Sequence, residues 1–262
     1  MRFTDQVVVV TGAGQGIGLA TARLAAREGA KVAVCDRDPG SVSSTVARIR
    51  EEGGVAIGVC GDVSNLTQVR ANVDEVMQAY GRIDVLINNA GILKHTPARL
   101  VEEAQWRREI DVCLTGAFFW AQTAAVASMI PRKQGAIVNL GSGAAVAGAP
   151  GSTSYCAAKH GVVGLTRALC VEWGQYNIRV NCVCPGITAT EMTMSVARDY
   201  PERIRQREQR IPLGHMAQPD DQAKAILFLA SSDAASISGH ILSVDGGTAA
   251  LSSGYSAPRD GH

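Results

Sequence analysis

Short runs of Val and Ile recur along this chain, and between them apolar residues return with the three-to-four spacing of a helix. The runs near 7 to 11, 31 to 36, 55 to 60, 83 to 88, 135 to 141, 178 to 184 and 241 to 244 predict strands. Several are continuous rather than alternating, Val7 to Val10 above all, which marks strands covered on both faces and hence a mostly parallel sheet. Helices are expected over 16 to 29, 40 to 52, 65 to 80, 99 to 130, 153 to 176 and 219 to 231. The repeated βαβ units favour a single α/β domain, a doubly wound parallel sheet of about seven strands with helices on both faces. Two segments break the rhythm. Residues 187 to 215, following Pro185-Gly186, carry Met, Arg and Glu without a clear strand and read as a mobile helical insertion forming a substrate-binding lid. The polar tail from 252 to 262 is expected either frayed or docked on a neighbouring subunit.

Composition narrows the partners. A chain of 262 residues with net charge +1 can bury a substantial core but presents no basic stripe for nucleic acid and no basic amphipathic stretch for a membrane surface. A small molecule is the expected partner. The stretch from Ile110 to Ile130 is apolar, yet Asp111, Gln122 and its Thr and Ser residues argue for a buried helix of a soluble protein. Seven cysteines occur without a C-x-x-C pair, and Cys182-Val-Cys184 lacks the second pair that a closed zinc site needs, so no metal is expected. Buried thiols in a reducing cytoplasm are the expectation, since the start runs almost at once into the first strand without a charged leader and cleavable apolar segment.

Candidate chemistry lies at strand ends. Thr11-Gly12-Ala13-Gly14-Gln15-Gly16-Ile17-Gly18 follows the first strand and opens the first helix. Glycines there allow a tight turn and close approach of a pyrophosphate, whose charge is favoured by free N–H groups and the helix dipole. Asp36 ends the second strand, where a carboxylate can accept hydrogen bonds from a ribose and repels a 2′-phosphate, so NAD is favoured over NADP. Arg37 offers the opposite possibility of pairing with that phosphate, or of stacking on adenine, while Gln15 adds no positive charge to the turn. Further along, Gly135 to Leu140 reads as a strand that delivers Ser142 just past its end, and Tyr155 and Lys159 stand four apart on a helix, sharing a face. A free phenol has a pKa of about 10, and a neighbouring ammonium favours its ionised form, so Tyr155 is a candidate general acid or base.

Taken together these motifs, with Asn88-Asn89-Ala90-Gly91 and Asn181 followed by Pro185-Gly186, resemble the short-chain dehydrogenase/reductase family over nearly the whole chain. The resemblance implies a Rossmann-type fold, a homotetramer or homodimer packed through the helices at 99 to 130 and 153 to 176, and an alcohol or ketone substrate. It also implies that Tyr155 transfers the proton, Ser142 orients the carbonyl or hydroxyl, and Lys159 holds the ribose while lowering the tyrosine pKa. Asp62 and Val63 would line the adenine pocket, Asn89, Ala90 and Gly91 would border the cofactor, and Thr188 and Thr190 would lie near the carboxamide and phosphates. A hydroxyl and a proton donor aimed at one oxygen would stabilise the negative charge that develops there during hydride transfer.

One position departs from the family pattern. Where an asparagine is usual, in a Val-Asn-Leu-x-Gly context, this chain has Cys113, and a thiol is a much weaker hydrogen-bond partner for the water of a proton relay. Asp111, about 200° away on an α-helix, cannot replace it. Activity is nevertheless expected, because the three direct groups are intact. The small and apolar Gly143 to Pro150 segment, Ala144 included, suits an uncharged, fairly apolar substrate or simply packs its loop. Met192, Met194 and Met216 would give an adaptable lid or ordinary packing, and His95 would edge the pocket. Two alternatives stay open: an NADPH-dependent 3-oxoacyl carrier-protein reductase, and a cofactor-binding sensor that lost its chemistry with the asparagine.

Overall fold

Every residue of β1 (Val7–Thr11) is buried, as a strand covered on both faces must be. The computed structural model describes residues 1–251, with the side chains of Met192, Ser195, Val196, Asp199 and Arg203 outside the description. Around β1 stand β2 (Lys31–Asp36), β3 (Val55–Cys60), β4 (Val85–Asn88), β5 (Gly135–Leu140), β6 (Ile178–Pro185) and β7 (Ile241–Val244). All pairs are parallel and the order is β3-β2-β1-β4-β5-β6-β7. Val8 sits in register with Val32 on one side and Val85 on the other. The order reverses between β1 and β4, which opens a crevice beyond their carboxyl ends.

The period of two along β1 divides the core. Val8 and Val10 pack beneath α1 (Gly16–Arg27), α2 (Pro39–Glu51) and the later helix Pro219–Ala230, together with Ala22, Ile49, Ile226 and Leu227. Val7 and Val9 point the other way, onto a cluster holding Val73, Trp120, Met129 and Trp173. That second face is covered by α3 (Leu66–Tyr80), α4 (Glu103–Arg132) and α5 (Thr153–Trp173). Each such valine contributes about 1.5 kcal/mol or more by leaving water.

α4 is long and apolar enough to cross a membrane by length and composition, but half of its most apolar stretch is buried inside the domain, with Trp120, Ala121, Ala124 and Met129 against the sheet. It begins at Glu103 rather than 99 because Ala98–Leu100 forms a separate 3-10 turn ended by extended Val101. Two of its turns are widened to i→i+5 bonding, Asp111–Thr115 and Ala125–Met129. The segment after β6 forms two helices, α6 (Glu191–Asp199) and α7 (Pro201–Gln209), before α8 (Pro219–Ala230) returns to the sheet. The tail from 252 lies outside the described residues.

Candidate active site

A cleft of about 360 Å³ lies beyond the carboxyl ends of β1, β2, β4, β5 and β6, where the strand order reverses. The chain leaves β1 through a tight turn: Gly12 has φ +62°, and a Cβ there would come within 2.8 Å of the Ala90 backbone. Gly18 is required for a different reason, since its Cβ would meet the Gly12 carbonyl at 2.2 Å. This second close approach seats the first turn of α1 directly behind the loop. Thr11 fastens the neighbouring strand end, its hydroxyl accepting from the backbone N–H groups of Asn89 at 3.0 Å and Ala90 at 3.1 Å. The Asn89 amide in turn donates to the carbonyls of Thr11 and Gly12. The helix that follows starts at Gly16 with no side-chain cap from Gln15, and its first residues, Gly16 and Ile17, line the cleft.

At the far end Asp36 is held by backbone donors. Its Oδ2 accepts from Gly14 N at 3.0 Å, and its Oδ1 from Arg37 N at 2.8 Å and Asp38 N at 3.3 Å. Arg37 is exposed beside it on the cleft wall. Asp62 is joined to Arg108 Nη2 at 2.7 Å and to the Ser64 hydroxyl at 2.6 Å. Burial pushes the Asp62 carboxyl up, but these donors outweigh it and hold its pKa at about 2. A glycine cradle that any Cβ would fill, an uncapped helix start and an acceptor at the end of β2 fit a dinucleotide.

The near end gathers the chemistry. Ser142 follows β5 in an extended conformation, its hydroxyl accepting from Ala144 N at 3.1 Å. α5 brings Tyr155 and Lys159 onto one face; Lys159 is only 3 % exposed, its Nζ 5.6 Å from the Tyr155 ring centre and donating to the Leu140 carbonyl at 2.6 Å. That bond ties the lysine to the strand that ends beside Ser142. Burial raises the Tyr155 pKa; the Lys159 charge and the Ser142 hydroxyl act in the opposite direction without overcoming it. Burial also acts against the Lys159 ammonium, yet the facing Tyr155 together with Cys113, Cys182 and Cys184 raises its pKa. The expectation that lysine lowers the phenol is therefore correct in sign for the pair and incomplete for the site. The result is a protonated phenol beside a firmly charged ammonium, a proton donor for a developing alkoxide.

Most of the expected residues meet on this one cleft: Gly12, Gln15, Gly16, Ile17, Asp36, Arg37, Asp62, Val63, Asn89, Ala90, Gly91, His95, Ser142, Tyr155, Lys159, Pro185, Gly186, Thr188 and Thr190. Gly18, Cys113 and Ala144 do not reach its wall, and neither do Met194 and Met216. Gly18 lies behind the turn; the Cys113 thiol is buried, accepting from Ile92 N and donating to Ile92 O at 3.4 Å each; Ala144 serves through its backbone N–H. The 200° separation of Asp111 from Cys113 does not apply to an i→i+5 turn, but Asp111 is exposed and Cys113 buried all the same. Beyond Ser142, none of the segment from Gly143 to Pro150 lines the cleft; its apolar wall comes instead from Ile92, Leu93, Ile187 and Ile204. The side chain of Met192 is outside the described residues, and Met194 is 41 % exposed. Sequence reasoning missed Arg108, and also Glu191 and Arg207 from the inserted helices, which add charge to the rim. An arginine five positions before Cys113 was the available signal for the first; nothing in the spacing marks the other two.

The doubly wound sheet, the glycine cradle and the Ser142, Tyr155 and Lys159 cluster define a dinucleotide-dependent oxidoreductase. Residues 12–249 match a family model described as enoyl-(acyl carrier protein) reductase. The 2-(S)-hydroxypropyl-CoM dehydrogenase 3 of Xanthobacter autotrophicus is 39% identical over 95% of this chain and 99% of its own length. A 3-oxoacyl acyl-carrier-protein reductase of Thermotoga maritima is 39% identical over 94% of this chain and 99% of its own length. The crystal structure of a variant of actinorhodin polyketide ketoreductase with NADPH superposes with a TM-score of 0.91 at 34% identity, covering 96% of this chain and 99% of that one. The chain belongs to the short-chain dehydrogenase/reductase family, and is an oxidoreductase that moves hydride between a nicotinamide cofactor and an alcohol or ketone.

Proposed function

We propose that the protein is an NAD(H)-dependent dehydrogenase that interconverts a secondary alcohol and its ketone, with Tyr155 exchanging the hydroxyl proton. Asp36 carries the cofactor half of this reading. Three backbone N–H groups fix its carboxylate at the end of β2, where it favours a ribose hydroxyl and opposes a 2′-phosphate. A bound nicotinamide supplies the carbon that gives or accepts hydride. Tyr155 holds the proton that goes to, or comes from, the substrate oxygen, and Ser142 holds that oxygen in place. Lys159 keeps a positive charge beside the phenol, stabilising it whenever it ionises. Cys113 acts by gripping Ile92 rather than by touching the reacting atoms. The wall of Ile92, Leu93, Ile187 and Ile204 supports a fairly apolar substrate, and α6 and α7 serve as its lid.

Exposed Val126 on α4 and Val171 on α5 support a homo-oligomer built through these helices. All seven thiols are free, in keeping with a reducing cytoplasm. A second reading, an NADPH-dependent reductase, is favoured by the place of Arg37 on the cleft wall. Titrating both cofactors, alongside a panel of secondary alcohols and ketones followed by NADH absorbance, separates the two. NAD is expected to bind at least about tenfold more tightly than NADP, and tighter NADP binding transfers the assignment to the second reading.

A further inference from the structure

Glu109 is a carboxyl side chain only 2 % exposed, on α4, and no step above uses it. Its Oε2 accepts from the Ser154 hydroxyl at 2.5 Å and its Oε1 from the Lys94 backbone N–H at 2.8 Å, with the Gln105 amide at 3.5 Å. Ser154 is itself buried and stands next to Tyr155 in the first turn of α5. Lys94 belongs to the stretch whose Ile92, Leu93 and His95 form a wall of the cleft. One side chain therefore joins the helix start that carries the phenol to the wall that faces it.

Neighbouring bonds point the same way. Thr96 N donates to Gly151 O at 2.9 Å, and His95 Nδ1 lies 3.2 Å from the Ser152 hydroxyl. Ser152 is the N-cap residue of α5, but its side chain does not cap the helix, and the first turn contains no acidic residue. The start of α5 thus depends on groups outside itself, and Glu109 is the acceptor placed there. Burying a carboxyl is unfavourable unless hydrogen bonds satisfy it, and an apolar side chain would fill the same space without that desolvation. What an apolar side chain could not do is make both bonds at once.

We propose that Glu109 is a positioning residue, fixing the first turn of α5, and with it the Tyr155 hydroxyl, against the Ile92–Lys94 wall of the cleft. The inference rests on the reading that Tyr155 exchanges the substrate proton. Misplacing a reacting group by about 1 Å can slow a reaction about a hundredfold, so a clamp of this kind acts on turnover rather than on cofactor binding.

The test compares Glu109→Leu, Ser154→Ala and Glu109→Gln with the full-length protein, on whichever alcohol the wild type oxidises fastest, and measures NADH affinity separately by fluorescence titration. Glu109→Leu and Ser154→Ala are expected to lower kcat about tenfold or more, with KM changing less than kcat and NADH affinity held within about twofold. Glutamine can accept from Lys94 N and donate to Ser154, so Glu109→Gln is expected to keep kcat within about threefold of wild type. Wild-type kcat in Ser154→Ala overturns the proposal, and does so even if Glu109→Leu fails to fold. So does a loss of kcat matched by an equal loss of NADH affinity, or a Glu109→Gln variant as impaired as Glu109→Leu. Failure of the underlying reading looks different: a Tyr155→Phe variant would keep wild-type turnover, whatever the Glu109 variants did.

Discussion

At Tyr155, two influences of opposite sign meet: burial holds the proton on the phenol and the Lys159 charge loosens it, with burial prevailing. A raised phenol pKa means that the protonated form needed for ketone reduction persists through neutral pH and is lost only as pH rises well above it. The ionised form needed for alcohol oxidation gains over the same range. Oxidation rates are therefore expected to climb from neutral into alkaline pH while reduction rates fall, as steady-state NADH absorbance at a series of pH values would record. Replacing Tyr155 by Phe removes the proton carrier and is expected to lower kcat/KM by about 10²- to 10⁴-fold, leaving cofactor binding intact. A flat pH profile in the wild type, or an active phenylalanine variant, would remove Tyr155 from the chemistry. The helical spacing of Tyr155 and Lys159 was legible in the sequence, and so was the sign of the lysine's effect. The balance with burial was not, because depth depends on what the chain packs around the ring. Likewise Cys113 was visible as a departure, but only the fold shows its thiol occupied by both backbone groups of Ile92.

Strands were the easiest elements to read, because a parallel sheet covered on both faces needs unbroken apolar runs, and the observed β1, β2, β3 and β7 have the expected ends. The widened turns of α4 were not legible, since i→i+5 bonding changes the phase of the helix without demanding any particular residue. Those turns share α4 with Arg108, which meets Asp62 on the wall of the cleft. Asp62 titrates at about 2 when folded, below its ordinary 3.8, so the pair stabilises the fold fully above that ordinary value and loses its contribution as pH falls towards 2. Both side chains are about a third exposed, and solvent screening reduces the net effect to about 1 kcal/mol. Arg108→Ala is expected to lower the unfolding free energy, read from urea titration at about pH 6, by that amount, with the gap to wild type narrowing towards about pH 3. An equal gap at both pH values would assign the loss to packing instead of charge.

The assembled molecule leaves two helices incompletely explained by its own core. α5 turns Ala157, Gly164, Ala168 and Val171 outward at helical spacing, interrupted by His160, Arg167 and Glu172, and the second half of α4 turns Gln122, Val126 and Ala127 outward, so small and apolar residues make up much of both surfaces, while the exposed charges of α4 lie in its first third. Val171 is 84 % exposed and Val126 61 %. Exposed apolar faces are at a disadvantage in water unless something covers them, and small residues let a second helix approach closely. A second copy of the same chain meets that requirement through a self-complementary contact. The proposed contact would bear on the active site, because α4 carries Glu109 and Cys113 and α5 carries Tyr155 and Lys159, so immobilising both helices would steady the groups that hold and perform the chemistry. Light scattering of the wild type is expected to report a dimer or tetramer. Val171→Lys places an uncompensated charge on the contact and is expected to shift the mass towards the monomer, with turnover per chain falling in parallel as protein is diluted. A wild type that scatters as a monomer would refute the interface, and a dissociated Val171→Lys variant with full turnover would show that the site is complete within one chain.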